Sequence, residues 1–329
     1  MRFAIVCSAH GYGHVTRQRV VADVLVAAGD QVTFFSAAPA AILGERGGVS
    51  FVPWTVDVGL VQPDSLTEDV VATRARLDAI VTDAAIDALA ARLEGHDRVV
   101  VDIAPPALEA ARRAGVPALA IGNFDWAWIY SHYPSLQGWA RRFGAWQVAH
   151  HACAIAPGPG LFGFASVRRF GLVGRRAAAY RYPERNNIVL VCFGGFGLDL
   201  EAWLPRIPGV IWVLAPPMRS IVRDDVRYVA DVPFPALVAG ADLLLTKPGY
   251  GIFGEAARAG VPIVWLDRGE FPEAPSIEAA LTARGDRKAT RADLAEVVRA
   301  RLADPRPMPV EDDLAALVGV VRGGSAPFL

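Results

Sequence analysis

Lysine is almost missing from this chain of 329 residues. Only Lys247 and Lys288 occur, so each is a candidate for a task that the abundant arginines do not perform. Cysteine is equally sparse. Cys7, Cys153 and Cys192 are scattered through apolar segments, odd in number and without metal-ligand spacing, which argues against a disulfide framework or a cysteine metal site and leaves buried thiols. The hydrophobic share is high at 53%, with a mean hydropathy of +0.30, yet no run of about 18 apolar residues is free of breakers, so a membrane-spanning helix is not expected. The one long stretch without Asp, Glu, Lys or Arg, Phe143 to Val167, is interrupted by His150, His151 and Pro157-Gly158-Pro159-Gly160, and reads as helix, then strand, then loop. A secretory leader pattern is also lacking, because the apolar run Phe3 to Cys7 passes straight into a Gly/His loop; a cytoplasmic protein is expected. The Ala- and Arg-rich, Lys-poor composition is that of a GC-rich bacterial gene.

Net charge is close to balance at −1, which argues against a general nucleic-acid binder. The charge is uneven, however. Arg141, Arg142, Arg168, Arg169, Arg175, Arg176, Arg181 and Arg185 stand against a lone Glu184, a pattern open to two readings: a solvated surface around a linker, or contact with a phosphate-bearing or membrane-surface acceptor.

What is present is alternation of strand and helix, the pattern of parallel sheets covered by helices. In the first half, strands are expected at Phe3–Cys7, Gln31–Ser36, Arg98–Asp102 and Val116–Ile121, with helices at Thr16–Ala28, Leu77–Leu93 and Pro106–Ala114. After an Arg-, Tyr- and Pro-containing segment near Gly171–Asn187 that reads as a linker, the alternation restarts. Strands are expected at Ile188–Phe193, Val210–Leu214, Val226–Val229, Leu243–Thr246 and Ile263–Leu266, and helices at Pro235–Ala239 and Ile252–Ala259. Two Rossmann-like domains follow, residues 1–172 and 173–329, with a terminal helix over Glu311–Arg322 that could cross back to the first.

Ligands in open α/β sheets gather at the carboxyl ends of strands, so chemistry is sought there. Ser8-Ala9-His10-Gly11-Tyr12-Gly13-His14 joins the first strand to the first helix. It is not the three-glycine dinucleotide fingerprint, and Ser36 stands where that fingerprint wants an acid. His14, at the point where turn becomes helix, is the candidate general base, with His10 competing; otherwise it only caps the helix. Asp102, ending its strand, could orient the imidazole or merely cap the next helix. In the second half, Phe193-Gly194-Gly195-Phe196-Gly197 offers backbone N–H groups to a diphosphate. Thr246-Lys247-Pro248-Gly249-Tyr250-Gly251 again joins strand to helix, adding a positive charge, and Glu255 could accept hydrogen bonds from ribose hydroxyls or be an ordinary helix acid. The polar loop Asp267 to Glu273, with Glu270 and Glu273, suits sugar hydroxyls or is a plain connection. The aromatic cluster Phe124, Trp126, Trp128, Tyr130, Tyr133, Trp139, Phe143 and Trp146 could line an acceptor site or pack in a core.

On these residues the chain resembles the GT-B glycosyltransferases, in the group of the peptidoglycan N-acetylglucosaminyltransferase and plant UDP-glycosyltransferases. It is most similar to the glycosyltransferase-like N-terminal region of L-arabinokinases. The shared phrases are HGYGHVTR at His10–Arg17, VVVDIAPPA at Val99–Ala107, NFDWAWIY at Asn123–Tyr130, CFGG at Cys192–Gly195, KPGYGIFGEA at Lys247–Ala256 and LDRGEFPEAP at Leu266–Pro275. The resemblance implies a GT-B fold, two Rossmann-like domains facing each other across a cleft, with acceptor on the first and nucleotide-sugar, of the UDP kind, on the second. It implies His14 as base oriented by Asp102, Gly194 and Gly195 at the diphosphate, and Glu255 at the ribose. Lys247, Gly249, Tyr250, Gly251, Glu270 and Glu273 complete the donor side, and His10, Tyr12, Asn123, Asp125 and Trp126 the acceptor side. Inversion by direct displacement, without a metal and with no cofactor beyond the nucleotide-sugar cosubstrate, follows. The acceptor is a small molecule, a saccharide or a lipid-linked compound, peripheral membrane contact being compatible with the basic stretch. The plant enzymes' long donor signature is absent. Two alternatives stand beside the transferase: a non-catalytic nucleotide-sugar-binding regulatory module, and a UDP-N-acetylglucosamine epimerase of the same fold.

Overall fold

The computed structural model describes residues 1–43, 47–63, 67–184, 186–193, 204–216, 218, 220–267 and 271–323. It divides into two compact units. One comprises Met1–Val61, Glu68–Val173 and Asp312–Leu329, and the other comprises Gly174–Glu311 with Gln62–Thr67.

The first unit runs β1 (Arg2–Cys7), α1 (Tyr12–Ala27), β2 (Gln31–Ser36), α2 (Ala40–Leu43), β3 (Val49–Pro53), α3 (Val70–Ile80), α4 (Asp83–Leu93), β4 (Arg98–Asp102), α5 (Pro105–Arg113), β5 (Ala118–Gly122), α6 (Trp126–Ser131), α7 (Gln137–Gln147), β6 (His151–Ile155) and β7 (Ser166–Phe170). Its seven strands are all parallel in the order β3-β2-β1-β4-β5-β6-β7. The central strands read as near-continuous Val, Ile and Ala because a parallel sheet is covered on both faces; Val99, Val100 and Val101 of β4 are wholly buried. Chain reversal after α1 uses Gly29 at φ +84, where only glycine turns without strain, and its N–H bonds Val26 O.

The second unit runs β8 (Asn187–Cys192), β9 (Val210–Leu214), β10 (Val226–Tyr228), α8 (Phe234–Gly240), β11 (Leu243–Thr246), α9 (Tyr250–Ala259), β12 (Ile263–Leu266), α10 (Ala274–Ala283), β13 (Arg287–Ala289) and α11 (Leu294–Ala303). The order β10-β9-β8-β11-β12-β13, again parallel, repeats the first sheet's winding. Its core gathers Val191, Trp212, Leu214, Leu245, Val264 and Val298.

The last helix, α12 (Leu314–Val321), belongs to the first unit. Leu317, Val318, Val320 and Val321 are buried in the same core as Phe3, Leu25 and Ile121. Arg98 donates to the carbonyls of Val320 and Val321, and Arg322 pairs with the buried Asp30 at 2.9 Å.

Among the differences from the sequence reading, two have a plain local cause. Leu77–Leu93 is two helices, because Thr82 is extended and its hydroxyl caps Ala85 N–H, starting α4 afresh. The stretch expected to end as loop by Val167 instead enters β7 at Ser166, an edge strand whose Arg168 and Arg169 disguise it.

Candidate functional site

In both sheets the strand order reverses beside the first strand of the unit, between β1 and β4 and between β8 and β11. At such a switch point the connections leave in opposite directions and open a crevice at the carboxyl ends. Cys7 pairs with Asp102 in register across the first, and Cys192 with Thr246 across the second. The loop Ser8–Gly11 and the start of α1 therefore stand beside Asp102. Phe193 and Lys247 follow the equivalent positions.

On α1, His14, Arg17 and Gln18 are spaced i, i+3, i+4 and share one face. All three meet Asp102, which is completely buried. His14 Nδ1 lies 2.8 Å from Asp102 Oδ1. Arg17 Nε donates to Oδ2 at 3.0 Å, and its Nη2 donates to Oδ1 and Oδ2 at 2.7 and 2.8 Å. Gln18 Nε2 donates to Oδ2 at 2.7 Å. Burial opposes the charge on Asp102, but Arg17, His14 and Gln18 outweigh it and hold the carboxyl below the usual range. An ionised carboxylate only accepts, so His14 Nδ1 carries the hydrogen of this contact, and in the neutral imidazole the lone pair then lies on Nε2. Arg17 Nη1 also bonds Asn123 Oδ1.

The backbone after β4 is forced to suit. Ile103 has φ +46, a conformation that β-branched residues rarely hold. Gly122 on β5 is the neighbour that tolerates it, since a Cβ there would lie 2.2 Å from Ile103 Cγ2.

Asp57 is a second buried acid at this end of the sheet. It accepts from Ser8 Oγ at 3.1 Å, while its Oδ2 has no hydrogen-bond partner among the described residues. Burial pushes its pKa up to about 7, with Ser8 and Trp126 pulling down and Asp102 adding to the rise. Trp126 points its indole toward this carboxyl without reaching hydrogen-bond geometry.

The other expected first-unit residues are placed as follows. His10 accepts from Leu60 N–H at 3.3 Å and stands edge-on to Trp126 at 5.0 Å. Gly59 leaves it room, because a Cβ there would be 2.6 Å from the ring. Tyr12 opens α1, half-exposed. Asn123 is committed to the fold: its amide donates to the carbonyls of Ile155 and Pro157 as its oxygen takes Arg17. Asp125 caps α6 through Trp128 N–H and accepts from Phe162 N–H, both at 2.8 Å. Within the aromatic cluster, Phe124, Trp126, Tyr130, Trp139 and Phe143 are core, and Trp128, Tyr133 and Trp146 are half-buried. Arg17, Gln18 and Asp57 escaped the sequence reading; the spacing of His14, Arg17 and Gln18 was the available signal for two of them.

In the second unit, Lys247 and Gly249 stand in the β11–α9 turn, with Gly249 as the N-cap, and Tyr250 and Gly251 open α9. Gly194, Gly195 and Glu270 lie outside the described residues. Glu273 is buried just before α10. Glu255 is buried on α9 and its Oε1 pairs with Arg175 Nε at 2.5 Å. The segment after Val173 is fitted to this helix. A Cβ on Gly174 would lie 2.7 Å from Gly254 C, and Arg258 donates to Gly174 O at 3.1 Å. Among the described residues no helix is long and apolar enough to cross a membrane.

Two parallel sheets of this winding, each carrying polar groups at its switch point, define the class to which the fold belongs. The glycosyltransferase of kitacinnamycin superposes with a TM-score of 0.66 at 19% identity, covering 98% of this chain and 94% of that one. The glycosyltransferase VinC, solved in complex with dTDP, gives 0.59 at 17% identity, covering 98% and 94%. The chain thus has the GT-B glycosyltransferase fold. No protein-family profile matches it. In sequence it is 30% identical over 305 residues to the L-arabinokinase of Arabidopsis thaliana, a match that takes in 83% of this chain. The match spans only 29% of that relative's length.

Proposed function

We propose that the chain is a glycosyltransferase that moves a sugar from a nucleotide-sugar, a UDP- or dTDP-sugar, to an acceptor hydroxyl, inverting the anomeric carbon. The observation that carries this reading is the buried His14–Asp102 pair at the switch point of the first sheet, in which a neutral His14 held through Nδ1 offers Nε2 as the proton acceptor. The acceptor O–H gives its proton to His14 Nε2 as its oxygen bonds the anomeric carbon, and the bond from that carbon to the diphosphate oxygen breaks. The nucleoside diphosphate leaves with its electron pair, its charge met by Lys247 and the backbone N–H groups at the start of α9. A metal and a further cofactor have no part in this scheme. Glu255 takes the ribose hydroxyls. Gly194, Gly195, Gly249, Tyr250, Gly251, Glu270 and Glu273 complete the donor side, and His10, Tyr12 and Trp126 the acceptor side.

Calorimetric titration with UDP, dTDP, GDP and a dinucleotide tests the donor assignment. One nucleoside diphosphate should bind, more weakly to Glu255→Ala and unchanged to His14→Ala. Absence of binding, or preference for the dinucleotide, refutes the reading. A regulatory role is favoured by one observation, the match to a protein named for a kinase activity. It predicts nucleotide binding with no transfer to any acceptor in a panel of phenols, alcohols and saccharides.

A further inference from the structure

We propose that Arg17 is the positioning residue of this site: its charge keeps the buried His14–Asp102 pair free of an extra proton, so that His14 Nε2 remains bare to receive one from the acceptor. The inference rests on the reading of His14 as the base.

Asp102 is wholly buried, and His14 and Arg17 are nearly so. A carboxylate and a neutral imidazole alone would carry one negative charge into the buried interior, a costly state that proton uptake relieves. Arg17 brings the sum to zero. It does so through three donor contacts of 2.7 to 3.0 Å on both carboxylate oxygens, in the fork that arginine presents and lysine lacks. Its remaining Nη1 is anchored on Asn123, whose amide is tied in turn to Ile155 O and Pro157 O, so the guanidinium is fixed from the β5 end as well as from α1. Without Arg17 the coupled pair would take up a proton. Whether the proton settles as imidazolium or as carboxylic acid donating to Nδ1, Nε2 then bears hydrogen and cannot act as base.

The groups facing Asp102 are His14, Arg17 and Gln18 from α1, Cys7 from β1, and Asp57 from the segment after β3. Of these, Arg17 is the permanent cation. Asp57, where ionised, makes an extra negative charge on the pair less favourable still, and Cys7, its thiol pushed up by burial, stays neutral.

The test is nitrogen NMR of protein labelled in its six histidines, with His14 assigned by loss of its signals in His14→Gln. Wild type should show a bare Nε2 and a protonated Nδ1 near pH 7. Arg17→Gln should show a protonated Nε2 at the same pH, reverting as pH rises, and Arg17→Lys should keep Nε2 bare. In turnover, Arg17→Gln should lose on the order of 10²–10³-fold in kcat near pH 7 with KM nearly unchanged, and recover toward alkaline pH. A purely structural arginine would lower activity equally at every pH. A bare Nε2 in Arg17→Gln overturns the proposal. If Arg17→Gln does not fold, a protonated Nε2 in Arg17→Lys overturns it and a bare one supports it. Since the spectra need no substrate, failure of wild type to turn over any nucleotide-sugar would remove the transferase reading while leaving the role of Arg17 decided.

Discussion

Replacing Asp102 by Asn is the sharpest perturbation of the first unit's interior. The substitution removes one negative charge at nearly constant shape and leaves Arg17, itself only 7% exposed, without its counter-ion. Breaking a buried ion pair from one side costs about 3–5 kcal/mol, because the surviving charge stays desolvated. For a unit of this size each kcal/mol moves the midpoint by about 2–4 °C, so a fall on the order of 6–20 °C is expected. Scanning calorimetry of the whole chain should show it in the transition of the first unit, with the second unit unmoved. The double variant Arg17→Met/Asp102→Leu removes both charges and should recover at least half of the loss, the remainder reflecting the stranded amides of Gln18 and Asn123. A shift under about 2 °C for Asp102→Asn, or a double variant as unstable as the sum of its singles, would refute the idea that charge balance holds this cluster together.

Asp57 sets a pH dependence of opposite sense to the usual carboxylate. Its folded pKa of about 7 lies above its unfolded value, so the folded chain holds the extra proton and stability falls as pH rises from about 4 through 7. Asp57→Asn should therefore be more stable than wild type at pH 8, by up to about 4 kcal/mol, and no more stable below about pH 4, as read by urea unfolding across pH. Gly174→Ala should lift the segment from α9, since the added Cβ meets backbone at 2.7 Å. It should cost about 1–3 kcal/mol of second-unit stability and, on the donor reading, weaken nucleotide binding as Arg175→Ala also should; unchanged titrations would detach the Arg175–Glu255 pair from the donor site. Deleting residues 312–329 uncovers the pocket filled by Leu317, Val318, Val320 and Val321, each worth roughly 1.5–3 kcal/mol, and should leave the first unit open to limited proteolysis.

Much of the fold was legible because parallel strands announce themselves as apolar runs closed by turn residues. Gln31–Ser36, Arg98–Asp102, Val210–Leu214, Leu243–Thr246 and Ile263–Leu266 have the bounds expected from sequence. Edge strands lack that signature: β7 carries two arginines and β13 is Arg-Lys-Ala. The break between α3 and α4 was hidden because apolar spacing continues across it, and only the cap at Thr82 marks it. His14 and Asp102 could be singled out because loop and strand end each pointed to the same edge of the sheet. The rest of that cluster could not be read in the same way. Arg17 and Gln18 look like the solvated face of a helix until the partner 84 or 85 positions away is known. Asn123 and Asp125 stand in a suggestive phrase, yet Asp125 accepts from the backbone of Trp128 and Phe162, and Asn123 ties Arg17 to the carbonyls of Ile155 and Pro157.

The return of α12 to the first unit imposes an order on synthesis. As the chain emerges from the ribosome, residues 174–311 are released and able to fold before the residues that complete the unit begun at Arg2. The earlier half must wait, its β1–α1 surface uncovered, until Leu314–Val321 arrives from beyond the later half. His14, Arg17 and Gln18 sit on that same α1, so the helix that carries the polar cluster gains its α12 cover only after residues 174–311 have been made.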